Sequence, residues 1–348
     1  VSDGIMRAAV YYRNDDVRLE EIPKPTAGAG EVLVRVAASG ICGSDVMEWY
    51  RVKTAPRVLG HEVTGEIAAL GEGVAGFELG ERVVFTHHVP CNDCIHCLRG
   101  QHTLCDTLHS TSFDPGGFAE YVRLPKINVD KGGVLPLPEG ISFEAGTFVE
   151  PLGCVVRGQR RICLQPGDSV LVLGSGLAGL LNMRLARALG AGCIVATDVH
   201  PFRLQAALGS GAQAAVDAGS RKVVEQVLAA NEARGFEHVI VCTAAPAAFQ
   251  QALNAVSSGG CVLLYAFSAP GSETHFDLHE YFHKSITLRS TYGASPLDLQ
   301  QALSLLRFGR VVVEDLITHR LPLEETDVGF ALVASGEESL KVVIEPGR

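Results

Sequence analysis

Short runs of alternating apolar and polar residues, cut by Gly and Pro, fill about the first 125 positions of the chain. Val32, Val34 and Val36 alternate with Leu33 and Arg35, the period of two expected of a strand with one wetter face. The same pattern predicts strands over Arg7–Tyr12, Val17–Ile22, Glu31–Ala37, Val63–Leu70, Arg82–Thr86 and Phe118–Leu124. Many short strands in succession point to an antiparallel, barrel-like domain. Around Phe148–Leu164 the apolar spacing turns helical and leads into Pro166-Gly167-Asp168.

The rhythm then changes. Ser169–Leu173 reads as a buried strand, followed by a Gly-rich turn and a helix over Leu177–Leu189. Cys193–Thr197, His238–Cys242 and Cys261–Phe267 read as further buried strands, with Arg203–Gly209 helical between them. Strand alternating with helix over about 140 residues predicts a parallel, doubly wound sheet. Beyond Tyr292 come amphipathic stretches at Pro296–Phe308 and Leu323–Ala334 and a last strand at Lys341–Glu345. The fold class is therefore α/β, a doubly wound parallel sheet joined to a β-rich domain.

Composition narrows the picture. The 348 residues suffice for about two domains, each with its own core, and 47% hydrophobic against 20% charged residues suits a compact soluble protein. A formal charge of −10 argues against a nucleic-acid partner or an anionic membrane surface. No apolar run approaches a membrane span, and Val1–Asp16 lacks a signal-peptide core. Met6 is expected near the natural start, with the first five residues an extension or tag scar. Ten cysteines without a leader point to a reducing, cytoplasmic setting. Cys154, Cys163, Cys193, Cys242 and Cys261 lie in apolar or amphipathic segments and are expected as small buried hydrophobes.

Cys91, Cys94, Cys97 and Cys105 form a C-x2-C-x2-C-x7-C run inside the polar stretch of residues 87–106. So polar a segment has too little apolar surface to fold alone, but four thiolates can close a tetrahedral shell around Zn2+. A disulfide cluster and an iron–sulfur site are the alternatives. Ferredoxin-type runs place the last cysteine three residues on with proline after it, unlike the gap of seven and Asp106 found here. Gly174-Ser175-Gly176-Leu177-Ala178-Gly179 directly follows a predicted strand and opens a helix. In that context G-x-G-x-x-G predicts a dinucleotide turn: the glycines admit a pyrophosphate and the helix N-terminus faces it. Asp198, 19 residues past Gly179, stands where a carboxylate would accept bonds from ribose hydroxyls and repel a 2′-phosphate, favouring NAD over NADP; Arg203 nearby softens that preference.

Cys42 ends a strand in Gly40-Ile41-Cys42-Gly43-Ser44-Asp45, and Gly60-His61-Glu62-Val63-Thr64-Gly65 follows. With the four-cysteine run and the glycine turn, these residues resemble the zinc-dependent medium-chain dehydrogenases, the alcohol, polyol and threonine dehydrogenase superfamily, in order and spacing over nearly the whole chain. The resemblance implies a GroES-like catalytic domain over 1–153 carrying the zinc lobe, a Rossmann NAD domain over 154–291, and a segment 292–348 returning to the first. It implies two zinc ions per chain: a structural one on Cys91, Cys94, Cys97 and Cys105, and a catalytic one on Cys42 and His61 with Glu62 beside the metal. The third ligand position, cysteine in simple alcohol dehydrogenases, matches Glu150 in Val149-Glu150-Pro151-Leu152-Gly153, which resembles the polyol branch, though an acidic residue there also occurs in threonine dehydrogenases. Asp45 is a candidate to orient His61, or else a helix cap.

By the same resemblance Ser44 takes the proton of an alcohol held at the metal, and NAD receives the hydride; Ser44 also reads as an N-cap for Asp45–Tyr50. The histidine that ends the relay in polyol and threonine dehydrogenases is replaced by Met47, and His88 is the expected partial substitute. Trp49 and Tyr50 are expected to wall the substrate pocket, with Phe113, Asp114 and Phe148 as weaker candidates. Lys341 resembles a basic residue that contacts the cofactor pyrophosphate, and Thr291 and Tyr292 fall on the nicotinamide side. Glu150 in place of cysteine favours the secondary alcohol of a polyol, sugar or cyclitol, with L-threonine the main competitor; the short segment between Asp45 and Gly60 speaks against sorbitol itself. A zinc-free quinone-reductase-like enzyme and a non-enzymatic NAD-binding protein are the readings from other classes. The family habit is a homo-dimer or homo-tetramer.

Overall fold

The computed structural model describes residues 4–266, 268–274 and 277–348. Phe267, the expected end of the strand over Cys261–Phe267, lies outside the described residues. The chain divides into two compact units, Val1–Gly153 with Ala294–Arg348, and Cys154–Gly293.

The first unit is β-rich. Asp16–Pro23, Ile5–Arg13 and Arg57–Val58 make a small antiparallel sheet in that spatial order. A larger seven-stranded sheet centres on Val32–Gly40, which pairs with Glu62–Leu70, Tyr121–Leu124 and the C-terminal Lys341–Glu345. Val32, Val34 and Val36 pack with Val63, Ile67, Val83 and Phe85. Leu33 is buried as well, so the strand is covered on both faces; Arg35, paired with Glu66, is its one exposed residue. The strand expected from Phe118 starts at Tyr121 instead. The backbone of Gly117 and Phe118 is used up in bonds to Gly60 and Leu59 carbonyls, of 2.9 and 3.0 Å, which tie this loop to the turn before His61.

The second unit is a six-stranded parallel sheet in the order Ala214–Asp217, Cys193–Asp198, Ser169–Leu173, Phe236–Val241, Val256–Leu264 and Thr287–Ser290. The first strand in sequence is central and the order runs outward both ways, so the strands' carboxyl ends form a crevice at the switch point, the feature of a Rossmann fold. Leu171, Leu173, Val195, Val239 and Val262 fill the core between this sheet and the helices Val223–Ala230 and Pro246–Ala255. The two edge strands carry no apolar alternation, and Thr287–Ser290 is exposed throughout, which is why pattern alone did not indicate them. Cys163 departs from expectation: it is exposed, in a left-handed turn at φ 55° that ends the helix Val149–Ile162. Among the described residues no helix is long and apolar enough to cross a membrane.

Candidate active site

The four-cysteine lobe shows what its spacing can do. Short helical turns at Ile95–Leu98 and His102–Leu104 fold the run back so that the sulfurs converge. Cys94 and Cys97 Sγ lie 3.5 Å apart, Cys105 and Cys91 3.5 Å, and Cys91 and Cys97 3.9 Å. A tetrahedral shell with Zn–S bonds of about 2.3 Å has edges of about 3.8 Å, so the lobe fits zinc with little adjustment. Backbone N–H groups already point at the sulfurs, Cys91 N at Cys105 Sγ (3.4 Å) and Cys94 N at Cys91 Sγ (3.3 Å). Burial alone would raise the Cys105 thiol, but the backbone N–H groups of Cys91 and Leu108 hold it down.

A second cluster forms in the same unit. Cys42 follows the end of the strand Val32–Gly40, and Glu62 opens the strand paired to it, with Gly40 opposite Glu62. His61 is brought in by Gly60, whose φ of 93° lets the chain turn under Phe118; a Cβ there would lie 2.9 Å from the Phe118 nitrogen. One ligand atom each from Cys42, His61 and Glu62 lies within 4.8 Å of the others. Glu150 is buried in the first turn of the helix Val149–Ile162 and stands outside that cluster.

Asp45 is fully buried and organises these groups. It accepts from Cys42 N at 3.1 Å and from Arg51 Nη2 at 3.2 Å, and faces His61 Nδ1 at 3.4 Å. Burial would raise its pKa, but His61, Arg51 and the Cys42 N–H outweigh it and hold the carboxyl below its ordinary value. Burial would likewise lower His61, yet Asp45 and Cys42 raise it well above its ordinary value. Ser44 Oγ lies 3.4 Å from Cys42 Sγ and accepts from Arg51 Nη2 at 2.9 Å.

Lys341 is placed differently from the expectation at the cofactor pyrophosphate. Its ammonium is buried in the first unit, ion-paired to Glu62 Oε2, and lies 5.3 Å from the centre of the Phe148 ring. Gly40 makes this possible, since a Cβ there would strike both the Lys341 side chain and the Glu62 carboxylate. The other oxygen, Glu62 Oε1, is buried without a hydrogen-bond partner among the described residues. An anionic oxygen left so is costly unless a cation completes it, and with a thiol and an imidazole beside it this donor set suits Zn2+.

A pocket of about 310 Å³, counting its open mouth, adjoins His61. Arg51, Arg57, His87, Ser112 and Phe113 line it. His88 does not: it stacks behind His87 with ring centres 3.7 Å apart, while His87 faces His61 at 5.1 Å. Burial and the nearby His61 and His109 lower His88 to about 4, and burial with the neighbouring His88, His61 and Arg51 holds His87 well below its ordinary value, so both are neutral imidazoles near pH 7. Trp49 and Tyr50 also lie off this lining; they contact each other, and the Arg51 guanidinium stacks 4.8 Å from the Tyr50 ring. Asp114 is off it too, in an ion pair with Arg123, and Phe148 belongs to the Lys341 side. Sequence reasoning missed Arg51 and Arg57. The available signal was a stretch, residues 50–60, with three cations and no acid.

In the second unit Gly174 takes φ 96° and Gly179 packs so closely that a Cβ would strike the Gly174 carbonyl. Gly176 and Ala178 start the helix Leu177–Ala188, Gly176 as its N-cap, leaving backbone N–H groups facing outward. Asp198 ends the next strand and its carboxylate accepts from Ser175 N at 2.8 Å and His200 N at 3.0 Å, holding the glycine turn while lone pairs remain for a ribose. Arg203 approaches the Cβ position of Gly176 to 3.9 Å. Thr291 Oγ1 is buried without a partner among the described residues, and Tyr292 is partly exposed. These features suit a bound dinucleotide.

Comparison with known proteins agrees with this geometry. Residues 28–139 match the alcohol dehydrogenase GroES-like domain and residues 178–307 the zinc-binding dehydrogenase domain. The L-threonine 3-dehydrogenase of Rhizobium etli (strain CIAT 652) is 32% identical over 350 residues, 98% of this chain and 99% of that protein. The sorbitol dehydrogenase of Bacillus subtilis (strain 168) is 30% identical over 361 residues, covering 99% and 98%. Among solved structures, alcohol dehydrogenase TADH from Thermus sp. ATN1 superposes with a TM-score of 0.86 at 33% identity, covering 98% of this chain and 99% of that one.

Proposed function

Because the chain belongs to the zinc-dependent medium-chain dehydrogenase/reductase family, we propose that it oxidises the secondary alcohol of a polyol, sugar or cyclitol with NAD as hydride acceptor. The observation that carries this reading is the convergence of Cys42, His61 and Glu62 with one carboxylate oxygen buried and unsatisfied. These three residues would hold the catalytic zinc, and Glu150 is the further ligand that the sequence proposes. Cys91, Cys94, Cys97 and Cys105 would hold the structural one. Zinc, when bound, supplies the Lewis acidity that makes an alcohol hydroxyl acidic near neutral pH, and NAD supplies the hydride acceptor.

The chain's own groups then set position and proton flow. Ser44 Oγ takes the alcohol proton as it releases its own, and the Arg51 guanidinium stabilises the charge that gathers on that oxygen. Asp45 orients His61 and Arg51 together. Met47 cannot carry the proton onward, so it leaves through water or through the neutral His87 imidazole on the pocket wall. Asp198 favours NAD, and Gly174, Gly176, Ala178 and Gly179 receive the pyrophosphate. L-Threonine is the second reading, favoured by the named relatives. A homo-oligomer is the expected assembly.

The test is NADH formation by the zinc-loaded protein over sugar alcohols, cyclitols, L-threonine and plain secondary alcohols, with NADP+ in parallel. Turnover confined to polyols or cyclitols supports the reading. Turnover of L-threonine alone replaces it with the second, and NAD binding without oxidation of any alcohol overturns both.

A further inference from the structure

The pocket beside His61 carries a charge pattern that alcohol oxidation does not require. In a chain of net charge −10, residues 50–60 contain Arg51, Lys53 and Arg57 and no acidic residue. Arg51 and Arg57 both line the pocket, along with Ser112 and the backbone of Gly60 and Gly116. The one carboxylate on that lining is Asp45, already engaged by Cys42 N, Arg51 and His61. Arg51 is committed in turn to Asp45 and Ser44. Arg57 is half-buried, and its guanidinium has no ion pair or hydrogen bond among the described residues. Desolvation, and then the charge of Arg51, lowers its pKa, so the site disfavours a lone cation and would favour an anion brought in beside it.

Resting on the dehydrogenase reading, we infer that this pocket selects hydroxylated substrates bearing an anionic oxygen group, a phosphate ester or a carboxylate, gripped by Arg57 with Arg51 alongside. A guanidinium offers paired donors in the geometry of such a group. An amino acid is a poorer fit, because no carboxylate on the lining is left to receive its ammonium. Neutral polyols would leave Arg57 without a partner. The substrate class is thereby narrowed to polyol or sugar phosphates and sugar acids.

The experiment compares kcat/KM of the zinc-loaded full chain, with NAD, for matched pairs: D-sorbitol against D-sorbitol 6-phosphate, galactitol against galactitol 1-phosphate, and D-sorbitol against D-gluconate. L-Threonine is run beside them. Inorganic phosphate binding to the same protein is followed by calorimetry. A charge-assisted pair predicts a preference of about ten- to hundredfold for at least one anionic partner, the phosphate or the carboxylate arm identifying which. Arg57→Gln should collapse that ratio and weaken phosphate binding by a similar factor, and Arg57→Lys should restore part of both, which also guards against a folding defect. Neutral polyols used as well as their anionic partners, or L-threonine preferred to all, would overturn the inference while leaving a dehydrogenase standing. Arg57-dependent phosphate binding without oxidation of any alcohol would support the anion site and overturn the dehydrogenase reading.

Discussion

Lys341→Met provides the sharpest test of how the metal site is built. Lys341 and Glu62 pair with both side chains fully buried. Methionine keeps most of the volume and removes the ammonium, leaving the Glu62 carboxylate with neither oxygen satisfied. Breaking a buried pair from one side costs about 3–5 kcal/mol, most of it the stranded charge. Zinc at Cys42, His61 and Glu62 would give that carboxylate a partner again, so the penalty should fall on the metal-free protein and be largely relieved in the loaded one. At about 1.4 kcal/mol per tenfold, the variant should hold the Cys42-site zinc tighter by as much as about a thousandfold. Chelator competition, with zinc per chain counted by native mass spectrometry, reads the affinity. Thermal unfolding with and without added zinc reads the two stabilities. Glu62→Gln with Lys341→Met should recover much of the lost metal-free stability, because the stranded charge is gone. Equal destabilisation of loaded and metal-free protein, with unchanged zinc affinity, would refute the reasoning.

Further outcomes follow from the same geometry. Because Asp45 and Cys42 hold a proton on His61 well above its ordinary range, zinc must displace it: affinity should fall as pH drops through 7, and calorimetry in buffers of different ionisation enthalpy should detect proton release. Identical heats in all buffers would exclude that. Cys105→Ser should cost one zinc per chain and on the order of several kcal/mol of stability, read by metal analysis and thermal unfolding; a variant that keeps both equivalents would show the lobe closes without it. Asp198→Asn should reduce kcat/KM with NAD by about tenfold and narrow the gap to NADP. An unchanged ratio would leave Asp198 only as the brace of the glycine turn.

The features readable from the chain alone are those whose information is local. The run from Cys91 to Cys105 and the turn from Gly174 to Gly179 each fit within one loop, so residue type and spacing suffice to specify what they can bind. The central strands were legible because apolar residues recur along them, and Ser169–Leu173 and Lys341–Glu345 fall where the pattern placed them. The edge strand Thr287–Ser290 was not, since its four residues face water and carry no period. Tertiary structure alone decided which side chains meet across the chain. Glu62 and Lys341 are 279 residues apart and come together only because the last strand joins the sheet beside Val32–Gly40, where Gly40 leaves room for an ammonium. It likewise decided that His87 and not His88 lines the pocket, and that the Arg57 side chain stands there with no ion pair among the described residues. Irregular loops have no repeating geometry, so the direction of each of those side chains is set by what packs against it and not by its place in the sequence.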